Sequence, residues 1–210
     1  MPNRKTMKIA ISGIIGSGKS EFCNYLRKLG YDVFDCDAEN KKLLEKGNKG
    51  YLKVKEVFPE AFNEDELDKK KLAQIVFNDE EKRLELENIM HPLILSEMNK
   101  RKDNPLFAEV PLLFEANWDS YFDLNVLVVA DNDVVVSRLL ERGLDKKEIK
   151  ERMAAQMSVE EKIKRADKII YNNDSLRSLY RKIDKLLKEI LWLAMIYIKL
   201  MLILNYLAKD

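Results

Sequence analysis

Cysteine and histidine are nearly missing from this 210-residue chain, which holds Cys23, Cys36 and a single histidine, His91. There is no C-x-x-C pair and no zinc-type ligand spacing, so a metal scaffold is excluded. Two cysteines in a chain this long read as small buried hydrophobes rather than a disulfide frame. An excess of one charge is also missing. The 37 Lys and Arg face 36 Asp and Glu, leaving a net charge of +1. That balance argues against a nucleic-acid groove and against an acidic tail, so any phosphate binding must be local. With 7 Gly and 5 Pro there is no low-complexity linker, and no internal repeat is visible. The basic start MPNRKTMKIAISG lacks a small-residue cleavage pattern, and a cytoplasmic protein is expected.

Hydrophobic residues make up 46% and charged residues 35%, a globular composition. At roughly 100–200 residues per domain, one core with an inserted lobe is expected, large enough to fold without staples. The run Lys8–Ser12 (KIAIS) reads as a buried parallel strand. Lys19–Leu29 carries Phe22, Tyr25, Leu26 and Leu29 at helical spacing and stops at Gly30. Tyr31–Cys36 reads as a second strand, completing a βαβ unit. From Asp37 to Asp103 only helical periodicity appears, punctuated by Pro59, Pro92 and Pro105. Strands resume at Leu106–Phe114 and Leu124–Ala130. A helix at Asn132–Arg142, a charged stretch at Asp145–Arg165, a strand at Lys168–Tyr171 and a C-terminal helix follow. This alternation predicts an α/β fold with a mostly parallel sheet flanked by helices.

The strongest chemical signal is GIIGSGKS, comprising Gly13, Ile14, Ile15, Gly16, Ser17, Gly18, Lys19 and Ser20. It satisfies G-x-x-x-x-G-K-[ST], the phosphate-binding P-loop. The glycines let successive N–H groups turn inward toward phosphate oxygens. Lys19 reaches the outer phosphates, Ser20 offers its hydroxyl to Mg²⁺, and the helix that starts there presents its positive end. The match follows a buried strand and opens a helix, as a nucleotide site requires.

Asp35 and Asp37 end the second strand. In open α/β sheets, ligands bind beyond the carboxyl ends of the strands. Phosphoryl transfer to an alcohol needs a group to accept the hydroxyl proton. One of these two carboxylates is the base candidate. Either could instead cap the following helix, and Asp37 before AENKKLL is well placed for that.

In order along the chain stand the P-loop, FDCD after the second strand, HPLI (His91–Ile94), VPLLFE (Val110–Glu115), RLLERGL (Arg138–Leu144), ERMAAQ (Glu151–Gln156) and ADKIIYNN (Ala166–Asn173). Together, over about Lys8 to Ile190, they resemble the dephospho-coenzyme A kinases, and the combination is what makes the resemblance specific. It implies transfer of the ATP γ-phosphate to the ribose 3′-hydroxyl of dephospho-coenzyme A. It further implies Asp37 at the catalytic position with Asp35 beside it, and Lys19 and Arg142 acting on the transferred group. Arg152 matches a second lid arginine, Asn172 and Asn173 a segment near the adenine, and His91 a place in acceptor binding. The organisation implied is an α/β core (1–36, 104–141 and 166–190), a helical acceptor lobe (37–103) and a lid (142–165).

Four positions depart from the family pattern. Ile14 stands where a second glycine is common, though its backbone N–H remains. Lys41 stands where arginine is usual, which keeps the charge and loses the planar fork that would grip the acceptor. Gly143 replaces a common aspartate and Asp174 a common glycine. Other candidates are double-edged. His91 before Pro92 reads equally as a partly buried helix-end residue, and Glu115 as a cap or a water-bridged metal neighbour. Arg138 reads as a solvated helix-face charge.

The apolar run Ile190–Leu207, within the tail 191–210, lies outside the resemblance. A central lysine costs about 2.5–3.5 kcal/mol of membrane insertion and each Leu or Ile returns about 0.3–0.6. Lys199 therefore brings the segment near balance. Three readings compete: a terminal helix packed on the core or on a second subunit is favoured, membrane contact is less favoured, and disorder or a sequence-end peculiarity comes last. Two rivals to the family reading stand: another P-loop kinase of a nucleotide-like acceptor, and a non-enzymatic nucleotide switch. A guanine-specific switch would carry N-K-x-D or T-K-x-D, which is absent.

Overall fold

The structure is a computed structural model that describes the backbone of residues 6–207 and the side chains of residues 6–192. The elements run β1 (Lys8–Gly13), α1 (Lys19–Lys28), β2 (Val33–Asp35), α2 (Cys36–Leu43), α3 (Lys49–Val57), β3 (Phe62–Asn63), β4 (Glu66–Leu67), α4 (Lys69–Asn78) and α5 (Glu80–Met98). They continue with β5 (Leu106–Glu109), β6 (Leu124–Val129), α6 (Asn132–Glu141), α7 (Lys146–Ala154), α8 (Val159–Arg165), β7 (Lys168–Tyr171) and α9 (Leu176–Leu207). Five strands form one sheet in the order β2-β5-β1-β6-β7. The β1–β5, β2–β5 and β6–β7 ladders are parallel, as the alternating pattern predicts. The chain divides into two compact units, one made of the chain up to Ser12 with Gly30–Asn125, the other of Gly13–Leu29 and the chain from Val126.

In the first unit, β1 reads as a continuous apolar run because Ile9, Ala10 and Ile11 are all fully buried. Its neighbour β5 matches it, pairing Ile9 with Phe107 and Ala10 with Ala108. The strand expected to reach Phe114 ends at Glu109. Pro111 has no N–H for a ladder, and residues 111–117 turn instead, with Trp118 N donating to Leu113 O at 2.9 Å. The helical segment after β2 packs α2, α3 and α4 on α5. The expectation of no strand there needs one correction: β3 and β4 form a hairpin of two-residue strands. Strands that short carry no readable alternation. Pro92 also sits inside α5 rather than ending a helix. An interior proline costs about 3 kcal/mol. Met90, Ile94 and Met98, buried at four-residue spacing, offset it by burying one stripe of the helix.

In the second unit, α1 buries Phe22, Cys23 and Leu26 on one face. It meets α9 through a stacked pair, Tyr25 and Tyr180, with centroids 4.0 Å apart. Each hydroxyl donates to a carboxylate on the opposite helix, Tyr25 to Asp184 and Tyr180 to Glu21. Those hydrogen bonds raise both phenol pKa values. The edge strand β7 half-exposes its residues and ties Lys168 to Glu189 of α9 at 3.0 Å. Among the described residues no helix is long and apolar enough to cross a membrane. Leu191 and Trp192 are exposed. From residue 193 on, the apolar tail lies outside the residues described with side chains, and so does its expected docking.

Candidate active site

The P-loop leaves β1 at Gly13 and enters α1 at Lys19, and its glycines are there for different reasons. At Gly16 and Gly18 the backbone is left-handed, with φ of +77° and +98°, a region closed to most side chains. At Gly13 a Cβ would stand 2.5 Å from Ser17 Oγ and 2.6 Å from Val128 O. At Gly18 it would stand 2.2 Å from Asn172 Nδ2. The bend is tight and braced on its outer side. Ser17 Oγ is fully buried and, among the described residues, has no hydrogen-bond partner. An orphaned hydroxyl in a glycine cradle with Lys19 and Ser20 following suits a polyphosphate.

Three side chains far along the chain hold this loop. Asn172, almost fully buried, donates from Nδ2 to Ser17 O at 2.8 Å. Arg138 donates from Nη2 to Asn172 O at 2.9 Å, and its Nη1 lies 3.4 Å from Gly16 O and 3.5 Å from Ser17 O. Gln156 Oε1 accepts from Ile15 N at 3.0 Å. Arg138 is therefore not the solvated helix-face charge that its helical position suggests. Gln156 belongs to the ERMAAQ stretch, yet no local pattern points it at the loop. Asn173 accepts from Asp131 N at 2.8 Å and fixes the turn after β6.

Ile14, the departure from the usual glycine, is buried in an apolar cluster with Ala130, Val135, Leu139 and Ile149, and Met153 and Val159 pack against it. The charged segment 142–165 thus contributes an apolar face as well as a solvated one. Arg142 caps the C-terminus of α6 and is exposed. Arg152, also exposed, pairs with Glu148 on its own helix at 2.6 Å.

In the first unit a cleft of about 240 Å³ is lined by Asp37, Asn40, Glu87, His91 and Trp118 over an apolar floor. Asp35 and Asp37 do not share an extended segment, because α2 already begins at Cys36. Asp35 is the cap, accepting from Ala38 N at 2.9 Å. Asp37 lies in the first turn of α2, where a carboxylate is favoured by the helix dipole, and lines the cleft. Asn40, one turn on, lines it too, while Lys41 is exposed. His91 sits within α5, not at its end, and its Nδ1 accepts from Trp118 Nε1 at 3.2 Å. Burial pushes the His91 pKa below its ordinary value, opposed by the charge of Glu87. Glu109, buried at the end of β5 in register with Asp35, was hidden in the sequence by its apolar run. Among the described residues no cluster of three or more His, Cys, Asp or Glu could hold a metal.

A glycine cradle with Lys and Ser on one unit and an acid-lined cleft on the other suit a small-molecule kinase, and comparison with known proteins names which. The family model for dephospho-CoA kinase matches residues 7–178. The chain belongs to the dephospho-CoA kinase family. A Bacillus cereus dephospho-CoA kinase is 36% identical over 194 residues, covering 88% of this chain and 97% of the relative. A solved Thermus thermophilus structure is 38% identical, with a TM-score of 0.76 over 88% of this chain and 97% of its own. The structure of a dephospho-CoA kinase from Campylobacter jejuni is 26% identical, with a TM-score of 0.64 over 87% and 96%.

Proposed function

We propose that this protein is a dephospho-CoA kinase that transfers the γ-phosphoryl group of ATP to the ribose 3′-hydroxyl of dephospho-coenzyme A. The observation that carries the reading is the family match from residue 7 to residue 178, which includes the braced P-loop and the acid-lined cleft. ATP use follows from the family.

In the reaction, a ribose oxygen forms a bond to the γ-phosphorus while the bond from that phosphorus to the bridging oxygen of ADP breaks. The chemistry is mostly positioning and charge neutralisation. Lys19 and the inward N–H groups of the loop stabilise the phosphates. Asp37 takes the 3′-hydroxyl proton. Arg142 and Arg152 neutralise charge on the transferred group, Arg152 exchanging Glu148 for phosphate. Asp35, Lys41 and His91 contact the acceptor, and Asn172 and Asn173 serve the nucleotide by shaping the loop. Mg²⁺ would be held by the Ser20 hydroxyl with phosphate oxygens, since such ions use few protein ligands. When bound it would offset the phosphate charge.

The test is direct. Purified protein with Mg-ATP and dephospho-coenzyme A should yield ADP and coenzyme A in equal amounts. ATP binding without coenzyme A formation would sink the acceptor assignment and leave the P-loop reading standing.

A further inference from the structure

Trp118 buries a donor-only N–H, and the side chain that satisfies it is His91. The indole Nε1 lies 3.2 Å from His91 Nδ1, the rings meet edge to face with centroids 4.6 Å apart, and Trp118 is 5% exposed. Trp118 is held in turn by its backbone N–H on Leu113 O. An indole nitrogen can only donate, so Nδ1 of His91 must be the unprotonated nitrogen. In the neutral ring the proton then sits on Nε2.

From this geometry we infer that Trp118 is a positioning residue that fixes His91 as an uncharged Nε2–H donor in the acceptor cleft. The assignment rests on reading that cleft as the acceptor site. It gives His91 one task, donation to an oxygen of the acceptor, and removes it from the roles of base and cation. A base needs its lone pair toward the substrate, and here Nδ1 turns that lone pair to Trp118. A cation would set a second N–H against the indole N–H. Burial opposes that state as well; the carboxylates nearby are Glu87 on the same helix and Asp37 of α2, which lines the same cleft.

His91 is the only histidine in the chain, so its ring nitrogens can be followed by ¹⁵N NMR without assignment ambiguity. The wild type should show Nδ1 unprotonated and Nε2 protonated above pH 6.5, the ring's ordinary pKa. Dephospho-coenzyme A added without ATP should move the Nε2 signal more than the Nδ1 signal. Trp118→Phe keeps a ring and loses the N–H. It should mix the tautomers and raise KM for dephospho-coenzyme A about 3- to 10-fold, with kcat and KM for ATP within about twofold. A proton on Nδ1 in the wild type overturns the inference, as does a variant with unaltered signals and KM. If the variant does not fold, the wild-type spectra decide alone. No response of Nε2 to the acceptor, with turnover intact, overturns the inference and spares the proposed reaction. Absence of coenzyme A formation, with the tautomer and the Nε2 response as expected, overturns the reaction and supports the donor assignment.

Discussion

The phosphate loop and the cleft proposed to hold the acceptor are built by opposite means. The loop presents backbone, and its side-chain work is done by Asn172, Arg138 and Gln156, which hold its carbonyls or N–H from outside. The cleft presents side chains on helices, Asp37 and Asn40 from α2 and Glu87 and His91 from α5. A backbone site is unforgiving of any Cβ and indifferent to many side-chain changes. A side-chain site is the reverse, because each group can be altered alone. The two regions should therefore fail differently when mutated, and the kinetics can show it.

The largest effect is expected in the cleft. Asp37→Asn keeps shape and removes the proton acceptor, so turnover should fall roughly 10²–10⁴-fold. The dissociation constant for ATP should stay within about twofold, since the loop is untouched. Single-turnover kinetics with equilibrium ATP binding checks both halves. Near-normal turnover would remove Asp37 from the role of base.

In the loop the matching change is Gly18→Ala, which meets Asn172 Nδ2 and a φ of +98° together. Left-handed strain of about 1–3 kcal/mol alone gives ATP binding roughly 10- to 100-fold weaker. Gly30→Ala is the control. Its φ is +89°, yet a Cβ there would meet nothing within 4 Å. It should lower the melting temperature and leave ATP affinity unchanged. Equal losses of affinity in both variants would mean that strain, not the loop's shape, decides binding.

Arg138→Lys sharpens the contrast further. Lysine cannot keep one nitrogen on Asn172 O and another beside the loop carbonyls. KM for ATP should rise about 3- to 10-fold, the worth of a charge-assisted hydrogen bond or less, with KM for dephospho-coenzyme A unchanged. A rise in the acceptor KM instead would make Arg138 part of the other region.

These outcomes also mark what was legible in the chain. Gly13, Gly16, Gly18, Lys19 and Ser20 are neighbours, the glycines required by backbone geometry and the other two by phosphate chemistry, so the loop could be read locally. Its braces could not. Arg138 occupies a helical position that ordinarily faces water, and the link from Gln156 to Ile15 spans 141 residues. The parallel strands were readable because burial on both faces makes them continuously apolar. The β3–β4 hairpin was too short to show a period, and Pro92 survives inside α5 only through tertiary burial. Which of the two aspartates caps the helix was hidden for a similar reason: α2 starts one residue before Asp37, so the cap falls to Asp35. Composition and spacing carry no information about that single-residue register.

The smallest effect returns to the cleft and concerns stability. Burial holds the His91 pKa below its ordinary value of 6.5. Well above pH 6.5 the ring is neutral in both the folded and unfolded chain and contributes no pH dependence. As the pH falls through 6.5, the unfolded chain binds a proton that the folded chain refuses, so stability drops. The loss continues until the folded-state pKa is reached, below which both states are charged. His91→Gln has no such proton to refuse. Urea midpoints of the two proteins, compared from pH 7.5 down to 5.5, should show the wild type losing more stability than the variant across that window. A wild type that instead gained on His91→Gln with acidification would mean that the Glu87 charge outweighs burial. The cleft would then be built around a cation, and its contrast with the backbone-lined phosphate loop would narrow to two positively charged sites.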